Sequence, residues 1–214
     1  MVGSPLWFVA TSVSGVVGWA VAVLVSIFLF PPALAGVMTI ACICVGTAQW
    51  FVLWPYTWNS NRLWAMARWV ALSAVGGTIA WWTIILIGNL AAIVNEKIHL
   101  HPLYALFVFF VGGGIFGLAQ WLTWGVGQVW SLAWWALVNA FGWSAGGFVG
   151  VQVGRAVFTS LFPNHLESIM LGWEEGVHFF VAGAVAIPIY ALFTAVGLLV
   201  VLWKLDLPRG KERT

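Results

Sequence analysis

Scarcity of charge is the feature that most constrains what this chain can fold into. Only 7% of its 214 residues are charged, whereas ordinary soluble domains carry about 25%. Because 63% of the residues are hydrophobic, a soluble globule of this size would expose a large apolar surface and aggregate. The same hydrophobicity excludes intrinsic disorder, which requires few apolar residues. The chain is therefore predicted to be an integral membrane protein.

Six apolar runs are long enough to cross a hydrocarbon core about 30 Å thick, which takes roughly 20 helical residues. Residues that interrupt helices separate the runs, such as the Pro31-Pro32 pair and the polar segment 95–102. The predicted fold is all-α, with one six-helix transmembrane domain over residues 1–204 and a short charged tail over 205–214. The predicted spans are about 7–30, 33–54, 66–94, 103–124, 133–161 and 177–203.

The basic residues orient these spans, because cytoplasmic loops carry an excess of Lys and Arg. If both termini are cytoplasmic, Lys97 and Arg155 fall on the outer side and the other basic residues on the inner side. The inner set is Arg62, Arg68, Lys204, Arg209, Lys211 and Arg213. We expect a multi-pass protein of the bacterial inner membrane with a cytoplasmic tail.

An internal repeat is visible in the sequence. Segment 46–50 (Gly-Thr-Ala-Gln-Trp) in the second run matches segment 117–121 (Gly-Leu-Ala-Gln-Trp) in the fourth. In the run after each copy, a Trp is followed seven residues later by a Gly, over residues 69–76 and 135–142. We interpret the pattern as three repeated two-helix hairpins, of which the last has diverged.

These segments resemble bacterial multi-pass membrane proteins that are rich in Gly and Trp and carry repeated Gly-x-x-Gln-Trp segments. Such proteins are common in phototrophic and filamentous lineages. The resemblance covers roughly residues 40–150. It implies a helical membrane fold and no activity.

Glycine recurs every fourth residue on the fifth run, as in a glycine zipper, and a shorter pair lies on the fourth. Glycine lets a neighbouring helix approach closely, which matters in a bilayer where helices gain no hydrophobic driving force. The sequence predicts close packing there, either within the chain or between subunits. The residues are Gly113, Gly117, Gly142, Gly146, Gly150 and Gly154.

Tryptophan and glutamine supply the candidate ligand contacts. Twelve of the 17 Trp map near the predicted inner interface, where they either anchor the protein or line a groove for a lipid, pigment, quinone or partner helix. Trp19, Trp82 and Trp143 lie deeper and are candidates for contact with a flat apolar ligand. Gln49 and Gln120 are expected to form hydrogen bonds between helices, with axial ligation of a tetrapyrrole as the alternative.

All four histidines map to the predicted outer side. Glu175 lies three residues before His178, which places both on one helical face, and His99 and His101 lie in a facing loop. These four residues are either a weak candidate metal site or solvated interface residues. No metal is assigned.

The remaining observations define the expected function. Apart from Arg155, near an outer end, no ionisable residue is expected deep in the membrane, which argues against ion-coupled transport. No catalytic constellation is visible, and no nucleic-acid partner is expected. We expect a non-catalytic integral membrane subunit that packs against partner helices, lipids or pigments in a photosynthetic or respiratory complex. The alternative is the substrate-binding membrane component of a small-molecule transporter.

Overall fold

The fold is helical throughout the residues that the computed structural model describes, which are 3–29, 34–54, 61–94, 102–123, 129–162 and 173–204. The prediction of an all-α chain is confirmed for these residues. The helices are α1 (Gly3–Leu29), α2 (Leu34–Leu53), α3 (Arg62–Val94), α4 (Pro102–Trp121), α5 (Val129–Leu161) and α6 (Trp173–Lys204).

Four helices begin four residues before their predicted spans. These are α1, α3, α5 and α6, which start at Gly3, Arg62, Val129 and Trp173. The predicted spans were limited to apolar residues, whereas a helix satisfies its own backbone hydrogen bonds and continues through polar residues at its ends. The predicted tail, 205–214, lies outside the described residues.

Length and apolar composition mark the chain as a membrane protein. Four helices contain segments long and apolar enough to cross a bilayer, and α2 contains a shorter apolar stretch, Met38–Leu53. The four segments are Pro5–Val25, Leu63–Ala91, Leu103–Trp121 and Phe180–Val200. Large apolar side chains also cover the outside of the bundle, as at Val9, Val13 and Val17 of α1.

The helices form a closed ring. Each helix packs against the next one along the chain, and α6 packs against α1. The Trp7 indole on α1 donates a hydrogen bond to Thr194 Oγ1 on α6, with 3.1 Å between the nitrogen and the oxygen. The first and last helices therefore meet directly, and the ring encloses a central axis.

Glycine sets the spacing between α5 and α6. A Cβ atom added to Gly146 would lie 2.5 Å from the backbone oxygen of Ala186, and one added to Gly150 would overlap the backbone oxygen of Ala182. Gly142 faces Tyr190, and Gly154 faces the backbone at His178. The predicted glycine face thus lies against a helix of the same chain.

The glycine pair of α4 packs in the same way against α5. An added Cβ at Gly113 would lie 2.5 Å from the backbone oxygen of Asn139, and one at Gly117 would lie 2.9 Å from the Cα atom of Ala136. Both distances are too short for any side chain, so α4 and α5 are in backbone contact here.

The interior of the ring has two parts. Toward one end, which we call the tryptophan half, the core is built from buried Trp7, Trp50, Trp69 and Trp135. The Trp7 and Trp135 rings meet edge to face, with 5.9 Å between their centroids. The opposite part, which we call the cavity half, contains a cavity on the ring axis.

Candidate functional site

A layer of polar side chains lies in the tryptophan half. Each of the six helices contributes one polar residue whose side chain is fully buried, with no exposed surface. We call this set the polar layer. Its members, in helix order, are Thr11, Gln49, Ser73, Gln120, Asn139 and Thr194.

The two glutamines of the repeated motif meet at the centre of this layer. Gln120 Nε2 donates hydrogen bonds to Gln49 Oε1 at 3.0 Å and to Ser73 Oγ at 3.2 Å. Gln49 Nε2 donates to Thr11 Oγ1 at 3.3 Å. Their amide groups are engaged in hydrogen bonds between helices, as the first of the two sequence interpretations expects.

Indole groups complete the hydrogen bonds of the layer. Trp135 Nε1 on α5 donates to Gln120 Oε1 on α4 at 3.2 Å, in the same manner as the bond from Trp7 to Thr194. In both cases a tryptophan donates to the helix that precedes it around the ring. Gln120 therefore has three side-chain partners, Gln49, Ser73 and Trp135.

Tyr190 connects the polar layer to the cavity. Its hydroxyl donates to Asn139 Oδ1 at 2.8 Å, and Asn139 Nδ2 donates to the backbone oxygen of Trp135 at 2.8 Å. The Tyr190 side chain is buried and also lines the cavity. It therefore forms the end of the cavity that adjoins the polar layer.

The sequence pattern identified the glutamines but not four other residues of the hydrogen-bond network, which are Thr11, Ser73, Thr194 and Tyr190. Small hydroxyl residues are common in membrane helices and carry no signal by type alone. The spacing does carry one, because a polar residue follows a buried Trp by four positions in segments 7–11, 69–73 and 135–139.

The central cavity has a volume of about 230 Å³. All six helices contribute to its wall, which is almost wholly apolar. Within the part of the chain that the structure describes, no charged side chain lines the cavity. Representative lining residues, one from each helix, are Trp19, Met38, Trp81, Phe116, Trp143 and Tyr190.

The three deep tryptophans singled out from the sequence do not share one location. Trp19 and Trp143 line the cavity. Trp82 instead lies on the outside of the ring, with 53% of its surface exposed, and its neighbour Trp81 lines the cavity. Adjacent helical residues point about 100° apart, and a double Trp does not reveal which ring faces inward.

The proposed outer-side cluster is described only in part. His178 lies near the start of α6 and packs edge to face on Phe158, at 6.4 Å between ring centroids. His99 and His101 lie outside the described residues, as does the side chain of Glu175. Among the side chains that are described, no group of three or more His, Cys, Asp or Glu is placed to hold a metal ion.

No protein-family model, curated protein or solved structure matches the chain. The function is therefore inferred from the geometry of the cavity and the polar layer. An apolar wall formed by all six helices suits an apolar ligand, because the affinity of such a site comes from packing rather than from polar contacts.

Substitution of Thr194 by Val tests the bond that closes the ring. Valine keeps the shape of threonine but removes the acceptor of the Trp7 indole, so we expect the free energy of unfolding to fall by about 1 kcal/mol. Thermal unfolding in detergent measures the effect. Thr159→Val, at an exposed hydroxyl that bonds only locally on α5, is the matched control, and an equal loss in both variants would contradict the assignment.

Proposed function

We propose that this chain is a non-catalytic, six-span membrane protein that holds one apolar molecule in the cavity at the centre of its helix ring. The observation that carries the proposal is the cavity itself, with its wall from all six helices. The wall is almost wholly apolar, and an apolar occupant would supply van der Waals contacts to the side chains that line the cavity.

We propose further that the ring consists of three repeated hairpins, α1–α2, α3–α4 and α5–α6. Hydrogen bonds within each hairpin support this division, since the second helix donates to the first in all three. The donor–acceptor pairs are Gln49 to Thr11, Gln120 to Ser73 and Tyr190 to Asn139. In the third hairpin Tyr190 takes the place of the glutamine donor, which accounts for the missing Gln-Trp motif.

We propose that the tryptophan half faces the cytoplasm in a bacterial inner membrane, with both termini on that side. The bias of basic residues supports this orientation. Arg68 lies at that end of α3 and donates to the backbone oxygen of Leu122 at 3.2 Å, just beyond the end of α4. In this orientation the cavity lies in the outer half of the bilayer.

A place in a larger photosynthetic or respiratory complex is part of the proposal. The outward faces of α1 and α3 support it, because they expose large apolar side chains such as Val13, Leu24, Ile79 and Leu86. These faces are suited both to lipid and to partner helices. Native mass in a mild detergent distinguishes a single chain from an assembly with other subunits.

The central test is whether the purified protein carries a small apolar molecule. We expect native mass spectrometry to show one such molecule per chain. We also expect an absorption spectrum without a tetrapyrrole band, because 230 Å³ is below the range of sites for drug-sized ligands. A chain that stays folded and homogeneous with no bound apolar molecule in any preparation would contradict the proposal.

The second candidate function is the substrate-binding membrane component of a transporter. The position of the cavity favours it, because the cavity lies in one half of the ring and Tyr190 connects it to the polar layer. Such a component would release its bound ligand and take up ligand molecules that are dissolved in the aqueous phase. Displacement of the bound molecule by a water-soluble apolar compound, at equal rates in vesicles and detergent, would favour this function over stable lipid binding.

A further inference from the structure

We infer that the molecule in the cavity is a single hydrocarbon chain, which lies along the ring axis with its end against Tyr190. This inference rests on the proposed function and specifies the chemical class of the ligand. The hydrocarbon chain of the ligand belongs either to a membrane lipid or to an isoprenoid. Both are apolar and unbranched or lightly branched, as the cavity requires.

The shape of the cavity supports a chain rather than a ring system. On α6 its lining runs from Ala182 to Tyr190, which corresponds to about 12 Å along the axis at 1.5 Å per residue. On α5 it runs over a similar length, from Gly142 to Val151. The cavity is therefore elongated along the ring axis, a shape that suits an extended hydrocarbon chain.

The chemistry of the wall keeps a charged group out of the cavity. Among the residues that the structure describes, no charged side chain lines it, and the Tyr190 hydroxyl already donates to Asn139. The buried Trp81 Nε1 has no hydrogen-bond partner and offers a donor in the wall, but a single indole N–H does not offset the hydration that a carboxylate or phosphate would lose there. A headgroup must therefore stay outside the cavity, and only the hydrocarbon part enters.

The end of the cavity limits how much of the chain can enter. Tyr190 and Phe116 pack together there, with 6.2 Å between ring centroids, and the polar layer lies beyond Tyr190. An extended chain advances about 1.3 Å per carbon for bonds of about 1.5 Å, so the cavity takes roughly nine carbons. The bilayer supplies such chains at high concentration and at every depth.

The test compares two valine substitutions on α5. Val151 lines the cavity, whereas Val153, two residues further on, is exposed on the outside. The proteins are purified in a steroid-based detergent, which has no alkyl chain to compete. We expect Val151→Phe to retain at least tenfold less chain-bearing molecule than the wild type by native mass spectrometry, and Val153→Phe to retain the wild-type amount.

Extraction of the bound molecule, followed by addition of defined lipids to the delipidated protein, identifies the class and the source of the ligand. Fragmentation of the extracted molecule identifies it as a glycerophospholipid or as an isoprenoid. Delipidated wild-type protein is then incubated with lysophospholipids whose chains have about 6 to about 16 carbons. This range includes chains shorter and longer than the roughly nine carbons that the cavity is expected to take. We expect retention to rise with chain length and to level off near nine carbons.

A second variant keeps the inference testable if Val151→Phe does not fold. Val45 lies near the Tyr190 end of the cavity, where it approaches Gly15 together with Ile187. Val45→Phe should shorten the cavity and move the plateau to shorter chains. Retention that does not depend on chain length, or a bound ring compound other than the detergent, would overturn the inference while leaving the proposed function intact. Absence of any bound apolar molecule would overturn both.

Discussion

Replacement of Gln120 by Leu is expected to lower the free energy of unfolding by about 2–4 kcal/mol, the largest effect of any single change in the polar layer. The substitution removes the donor to Gln49 and Ser73 and the acceptor of the Trp135 indole. All of these groups are fully or almost fully buried. Each such bond in a membrane protein contributes about 0.6 kcal/mol on average and at most about 1.7, and three are lost together.

Thermal or denaturant unfolding in detergent measures this loss, and Gln152→Leu is the matched control. Gln152 belongs to the same residue type but is exposed on α5, so its replacement by Leu should leave stability within about 0.5 kcal/mol of the wild type. If Gln120→Leu is no less stable than Gln152→Leu, the polar layer does not hold the helices together.

Replacement of Gly150 by Leu is expected to separate α5 from α6. A Cβ atom at this position already overlaps the backbone oxygen of Ala182 and would lie 2.9 Å from the Cβ atom of Ala186. Backbone atoms cannot rotate away as a side chain can, so the helices must move apart along their whole contact. Overpacking of a core typically costs about 1–3 kcal/mol, and we expect this variant to exceed that range.

The measurement is the yield of monodisperse protein together with its unfolding temperature. Gly88→Leu on α3 is the control, because nothing lies within 4 Å of an added Cβ there. We expect Gly88→Leu to behave as the wild type and Gly150→Leu to aggregate or unfold at a much lower temperature. Equal behaviour of the two variants would show that close contact at Gly150 is dispensable.

Structural features that depend only on residue spacing within one helix could be predicted from the sequence. The glycine spacing on α5 identifies the face that meets α6, since every fourth residue returns to the same side of a helix. The repeated Gln-Trp unit identified Gln49 and Gln120 as groups that bond between helices, and they bond to each other.

Features that depend on how the helices are arranged in space could not be predicted from the sequence. Nothing along the chain indicates that α1 packs against α6, so neither the closed ring nor the cavity on its axis was expected. The same limitation applies to Trp81 and Trp82. Almost every position of α3 is apolar, and the contrast between polar and apolar faces that would reveal the inward side is absent in a lipid environment.

The bond from Trp7 to Thr194 has a consequence for biogenesis. These residues are 187 positions apart, so in the proposed six-span protein the contact that closes the ring forms only after α6 has entered the membrane. An intermediate with five inserted helices has no enclosed cavity, because α6 contributes one part of its wall. The binding site is therefore completed last, and its occupation by a ligand reports that membrane insertion has been completed.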